Sequence, residues 1–153
     1  MPSIRETRRL PWSAEQMFDL VADVARYPEF LPWVAATRVR SDTEHEMVAD
    51  MLVSFKVLRE KFTSRVEKDR PGRIKVHYVD GPMRDLDNVW EFTPAGPEAC
   101  DIDFSVAFTF RNALFESIAG QYIDKAFRKM VAAFEVRAQA LYGSSSSSAT
   151  SVA

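Results

Sequence analysis

Few side chains in this chain of 153 residues have the type and spacing to do chemistry. His45 and His77 stand among charged residues, and neither HxxH nor HxxxE spacing accompanies them, so a metal site is not expected. Both are read as solvent-facing histidines on strands. Cys100 is the single cysteine, which excludes an internal disulfide or a two-thiolate site. Its phase in the sequence turns it inward, as a small buried hydrophobe. Asp101 and Asp103 share a face two residues apart, opposite the apolar one, and read as a solvated pair. GxSxG, GxGxxG and phosphate-loop patterns are absent.

Polar groups that fall on apolar faces are more informative. Asn88 sits in phase with Leu86, Trp90 and Phe92. A buried amide without partners costs about 1–3 kcal/mol, so it must bond either to neighbouring backbone or to a ligand oxygen. Tyr78 and Tyr122 offer hydroxyls in the same way. The inward faces, read by phase, carry no Asp, Glu or His, which argues against acid–base catalysis. Arg5, Arg8 and Arg9 cluster near the start, and Arg38 and Arg40 follow later. They form either a solvated strand face or a local patch for anionic headgroups or RNA.

These residues need elements to hold them. Residues 3–10 are extended by propensity and suit an edge strand. Ser13 and Gln16 form a capping-box pattern, with Trp12 and Met17 placed as its hydrophobic staple. A helix carrying Met17, Phe18, Leu20 and Val21 follows, then a short second turn around residues 23–26. Next comes YPEFLPW, Tyr27 to Trp33, with four large side chains between two prolines. Proline excludes both a regular helix and a central strand there.

From about residue 34 to 110 the period is two. Met47, Ala49, Met51, Val53, Phe55 and Val57 share one face, as do Ile74, Val76 and Tyr78, and Cys100, Ile102, Phe104, Val106, Phe108 and Phe110. Clean alternation means antiparallel strands with one covered face. RPGR, DGP and TPAGPE supply turns. The period then returns to 3.6: Ile123, Phe127, Met130, Val131, Phe134, Ala138 and Leu141 lie along one stripe. A helix of about 28 residues spans roughly 42 Å, enough to cross a curved sheet. The expected class is α+β, a curved antiparallel sheet around a long C-terminal helix, with two short helices after the first strand. Sheet and helix should enclose a cavity at one end. The apolar loop 27–33 then has a use, as a lid over its mouth.

Length and composition fit one domain, residues 1–142, followed by a Ser-rich tail, 143–153, that cannot bury enough to order itself. A formal charge of −2 and a pI near 5.7 give no global field for nucleic acid, so DNA is not an expected partner. The lone cysteine and the missing secretory signal point to the cytoplasm, and no apolar run reaches the roughly 20 residues of a membrane span. Any membrane contact would be transient and peripheral, at the inner face.

YPEFLPW after a short helix, REKFTSRV in a middle strand, DGPMRDLDNVWEF in a hairpin and a final helix ending MVAAFEVRAQALYG resemble the coenzyme-Q-binding, START-like group. This group belongs to the helix-grip superfamily of polyketide cyclases and lipid-transfer domains. The resemblance covers about residues 2–142 in order. Met83 stands where many relatives carry Phe, and Val34 where a cysteine often follows the loop tryptophan; both stay apolar. The resemblance implies a helix-grip fold and non-catalytic carriage of ubiquinone or a related isoprenoid quinone, supporting respiration or quinone biosynthesis. Ubiquinone is then a ligand, and no cofactor is implied. A bacterial branch comprises the ribosome-association toxins, which makes the ribosome the alternative partner; a cyclase-like enzyme is the third reading. Phe30, Trp33, Met83 and Trp90 are expected at the mouth and throat, Phe55, Phe108 and Tyr122 as walls, and Asn88 as the polar contact.

Overall fold

A computed structural model describes residues 3–55 and 58–143. The expected place of Val57 in its strand, and the tail from residue 144 onward, lie outside the described residues. Strand β1 (Ser3–Leu10) leads to helix α1 (Ala14–Ala22) and a 3₁₀ helix (Val24–Glu29); strands β2 (Val34–Asp42), β3 (Glu46–Phe55), β4 (Leu58–Asp69), β5 (Arg73–Asp80), β6 (Met83–Pro94) and β7 (Cys100–Phe110) follow, and α2 (Ala113–Tyr142) ends the fold. The strands form one antiparallel sheet in the order β1-β7-β6-β5-β4-β3-β2, so β1 is an edge, as expected of residues 3–10. This is the α+β helix-grip arrangement.

The start of α1 forms as its sequence dictates. The Ser13 side chain accepts from the Gln16 N–H at 3.1 Å, and Gln16 Oε1 accepts from the Ser13 N–H at 3.0 Å. Trp12 and Met17, the staple pair, are both buried. The second short helix differs from expectation. It is a 3₁₀ helix that takes in Tyr27, Pro28 and Glu29, so the first three of the seven residues of YPEFLPW are helical. Pro28 is tolerated because a helix this short asks little of its missing N–H.

Register irregularities interrupt the ladders at Val34/Ala36 and Val39/Ser41, at Thr63/Ser64, and at Met83/Asp85. An extra residue on one strand increases local twist and bends the sheet, which lets it curl around α2. Asn112 caps α2, its side chain accepting from Leu114 N–H (2.8 Å) and Phe115 N–H (3.2 Å). Gly143 ends α2 with φ +69°, its N–H bonded to the Gln139 carbonyl, and its own carbonyl accepts from Trp12 Nε1 at 2.5 Å. The folded unit therefore runs through Gly143. Along the α2 stripe, Phe127, Phe134 and Ala138 are buried, whereas Leu141 is 52% exposed and does not join the core.

Two other expectations change with the structure. His45 lies in the turn between β2 and β3 rather than on a strand. His77 is on β5 but only partly exposed, with Nε2 at 3.4 Å from Glu67 Oε1.

Candidate functional site

The C-terminal half of α2 packs closely on the sheet, whereas its N-terminal half touches it at the rim, through Phe115 on Phe110 and Tyr122 on Phe55. Phe115, Ile118, Ala119, Tyr122, Ile123 and Ala126 stay only partly buried and face a cavity of about 380 Å³. The curled sheet supplies the other walls: Ala49, Met51, Val53 and Phe55 from β3, Leu58, Phe62 and Val66 from β4, Ile74 and Val76 from β5, and Leu86 and Trp90 from β6. From β7 come Phe104, Val106, Phe108 and Phe110. The lining is almost entirely apolar.

Burial increases along the cavity. Ile74, Ala49, Val66 and Phe104 at one end are buried, while Phe55, Leu58, Phe110, Phe115 and Ile118 at the other are partly exposed. The mouth therefore lies between the β3–β4 hairpin, the turn before Met83 and the start of α2. Trp33 stands beside Phe55 (ring centroids 5.6 Å), and Phe55 meets Tyr122 edge to face at 5.8 Å. This aromatic row links the loop, the sheet and the helix across the opening. Gly81, next to the mouth, has φ +149°, and a Cβ there would lie 2.6 Å from Phe62 Cβ, so the turn requires glycine.

The greasy stretch divides its residues between two tasks. Tyr27 and Leu31 are buried and also line the cavity, with Trp33 and Val34 beyond them. Tyr27 donates its hydroxyl to the Val21 carbonyl, and burial pushes its phenol pKa upward. Phe30 is not part of the lining. It packs edge to face on Tyr27 (5.9 Å) and Phe134 (5.3 Å), with the Arg137 guanidinium 5.1 Å above its ring. Phe30 anchors the loop to α2 rather than facing the mouth.

The other expected residues are placed as follows. Trp33, Phe55, Met83, Asn88, Trp90, Phe108 and Tyr122 all line the cavity. Trp90, expected near the mouth, lies at the deep end, 4.5 Å from Phe104 and 5.5 Å from Phe134. Phe55 and Tyr122, expected as walls, stand at the opening. Asn88 has structural bonds: Nδ2 donates to the Ser105 carbonyl at 2.9 Å, and Oδ1 accepts from Trp90 Nε1 at 3.2 Å. Tyr78 is not in the lining; its hydroxyl accepts from the Met83 N–H at 3.0 Å and braces the mouth turn. Cys100 is fully buried, and burial pushes its thiol up to about 11.

Two acidic residues escaped the sequence reading. Glu60 belongs to the inward face of β4, in phase with Phe62, Ser64 and Val66, and lines the cavity. The expectation that inward faces carry no acid is therefore wrong at this position. Its signal was the phase of REKFTSRV itself, counted one step toward the N-terminus. Asp50 lies on the outward face of β3 yet is 5% exposed. Thr63 Oγ1 donates to it at 2.5 Å and Arg40 Nε at 2.8 Å, and these two partners hold its carboxyl below its ordinary range.

The N-terminal arginines are already engaged. Arg9 grips Asp101 through two bonds (2.7 and 2.9 Å), Arg5 meets Asp103 at 3.3 Å, and Arg8 bridges Glu6 (2.9 Å) and Glu135 (2.8 Å). Asp101 and Asp103 thus face solvent as cross-strand ion pairs, each contributing little at such exposure. Among the described residues no group of three or more His, Cys, Asp or Glu is placed to hold a metal, and no helix is long and apolar enough to cross a membrane.

Residues 10–135 match the family model described as polyketide cyclase / dehydrase and lipid transport. The chain is 40% identical over 142 residues to the ribosome association toxin RatA of Escherichia coli K12, covering 93% of this chain and 90% of that protein. It is 33% identical over 142 residues to the mitochondrial coenzyme Q-binding protein COQ10 homolog B of Xenopus laevis, covering 90% of this chain and 58% of that one. Among solved structures, the 18 kDa protein CC1736 from Caulobacter crescentus is 37% identical with a TM-score of 0.75, covering 94% of this chain and 99% of that one. The Zhui aromatase/cyclase from Streptomyces shares the fold (TM-score 0.78, 90% of this chain, 93% of that one) at 15% identity.

Proposed function

This chain belongs to the polyketide cyclase / dehydrase and lipid transport family, and from that premise we propose that it is a non-catalytic carrier of ubiquinone or a related isoprenoid quinone. The cavity is the observation that carries this reading. A dry void of about 380 Å³ would cost on the order of 9 kcal/mol at about 24 cal/mol per Å³. That is an upper bound, since the mouth admits water, yet it approaches the whole stability of an ordinary domain. An apolar occupant removes the cost. The volume falls within the usual range of small-molecule sites, about 300–1,000 Å³, room for a ring and the first units of its tail. Burying about 400 Å² of tail yields about 10 kcal/mol gross. Association and ordering remove several kcal/mol of it, which leaves micromolar affinity, suited to a carrier that must release. The coenzyme-Q-binding relative supports the choice of head group.

Cyclase-like turnover is less well supported. Among the described residues Glu60 is the single Asp, Glu or His in the lining, and Tyr27 and Tyr122 are its other ionisable side chains. General acid–base chemistry calls for groups matched in position and pKa, and among the described residues of the lining no second Asp, Glu or His accompanies Glu60. Organic extraction of the purified protein followed by mass spectrometry tests the carrier reading. A stoichiometric quinone or quinone precursor is expected. An empty extract, still empty after ubiquinone is offered in detergent, would end the reading.

Association with the ribosome is the second reading, favoured by the names of relatives at higher identity than the quinone-binding one. It would act through the outer surface, where Arg5, Arg8 and Arg9 are held in ion pairs. Co-sedimentation with ribosomal subunits at low salt, lost on charge reversal at Arg8, Arg9 or Arg38, supports it. A protein that stays at the top of the gradient removes it.

A further inference from the structure

Glu60 is an acidic side chain on a cavity wall that is otherwise largely apolar. Its backbone pairs with Val53 of β3, which pairs in turn with Val34 of β2. That rung lies just inside the aromatic row of Trp33, Phe55 and Tyr122. On its other side β4 has no neighbour there, because the pairing with β5 ends at Thr63 and Asp80. Glu60 thus stands in the throat, where a ligand entering the cavity must pass or stop. Among the described residues no hydrogen bond or ion pair engages its carboxylate, and its neighbours along the face, Leu58 and Phe62, are apolar.

A second polar group on the same face is also unengaged. Ser64 is 7% exposed, lines the cavity, and its hydroxyl has no hydrogen-bond partner among the described residues. It lies four residues further on, roughly 13 Å along the strand, too far to share one ligand oxygen with Glu60. A hydroxyl both donates and accepts and so discriminates weakly; an ionised carboxylate only accepts. Asn88, the remaining polar side chain on the sheet wall, has its oxygen and one N–H committed to Trp90 and Ser105.

Acceptor-only chemistry at the throat has a definite consequence. A head group presenting an O–H can bond to Glu60 through a charge-assisted hydrogen bond, among the stronger kinds. A head group presenting only carbonyl oxygens places lone pairs against a carboxylate and leaves both unpaired. We propose that Glu60 makes the cavity select lipids whose head donates a hydrogen bond, quinols and phenols, over oxidised quinones. This rests on the carrier reading and specifies it further: the cargo is the reduced or phenolic form.

The test uses the full chain under anaerobic conditions and two ligand pairs, read by isothermal titration calorimetry. The first pair is a decyl ubiquinone analogue in its reduced and oxidised forms; the second is 4-decylphenol and its methyl ether. The donor member of each pair should bind about tenfold more tightly. In Glu60→Gln, whose amide also donates, the preference should fall below about twofold while the melting temperature stays near that of the parent. Equal affinities within both pairs, or a preference that survives Glu60→Gln, would overturn the proposal and leave apolar carriage standing. A phenol preference without any binding of the quinone pair would keep donor selection and discard the quinone. No binding of any of the four would remove both.

Discussion

Asp50 and Glu60 are both acidic residues on strands, and neither has the open, solvated surroundings usual for an acid. Period two assigns a face; it does not assign depth or partners. Asp50 is outward yet covered, because the register sets Thr63 beside it and Arg40 reaches it from β2. Its lowered pKa makes an acid-stability prediction. The folded carboxyl titrates below the unfolded value near 3.8, so its contribution is present above that pH and lost as pH falls through the folded value. Thermal melts of Asp50→Asn should therefore differ from the parent at neutral pH and converge with it in strong acid. A constant gap at all pH values would assign the effect to packing. Gly81 makes the complementary point about a missing side chain. Gly81→Val places a branched Cβ against Phe62 at a positive φ, and should destabilise the fold by about 2–4 kcal/mol in denaturant titrations.

At the scale of elements, α2 is one helix with two environments. Its 3.6-residue stripe is legible in the sequence from end to end, and so is the alternation of the strands. What the stripe cannot show is whether an apolar residue meets core or empty space: Ile123 and Phe134 have the same standing in the pattern, yet Ile123 is only partly buried at the cavity and Phe134 is buried. Only the curl of the sheet, set by bulges such as Val34/Ala36 and Met83/Asp85, separates them. The unusual loop 27–33 was legible for the same limited reason. Two prolines and four large side chains announced an unusual loop, but not that Phe30 would turn to α2 while Trp33 turned to the cavity. Amide exchange should report the division directly. Amides of residues 118–126 should exchange faster than those of 127–138 in the empty protein, and slow when a quinone analogue is added. Equal protection in both halves would mean that the helix is packed throughout. Phe134→Ala, in the packed half, should cost about 3–5 kcal/mol.

The whole molecule presents an apolar interior space and an outer surface whose N-terminal arginines are held in ion pairs. The two functional readings divide along that line, one using the cavity and the other the exterior. Titration of the isotopically labelled protein with a short-chain ubiquinone analogue, followed residue by residue by NMR, separates them in one measurement. Saturable shifts are expected at Trp33, Phe55, Glu60, Met83 and Tyr122, with β1 and its arginines unmoved. Shifts absent at every ratio, or scattered over the outer faces of the strands, would contradict a ligand-carrying cavity.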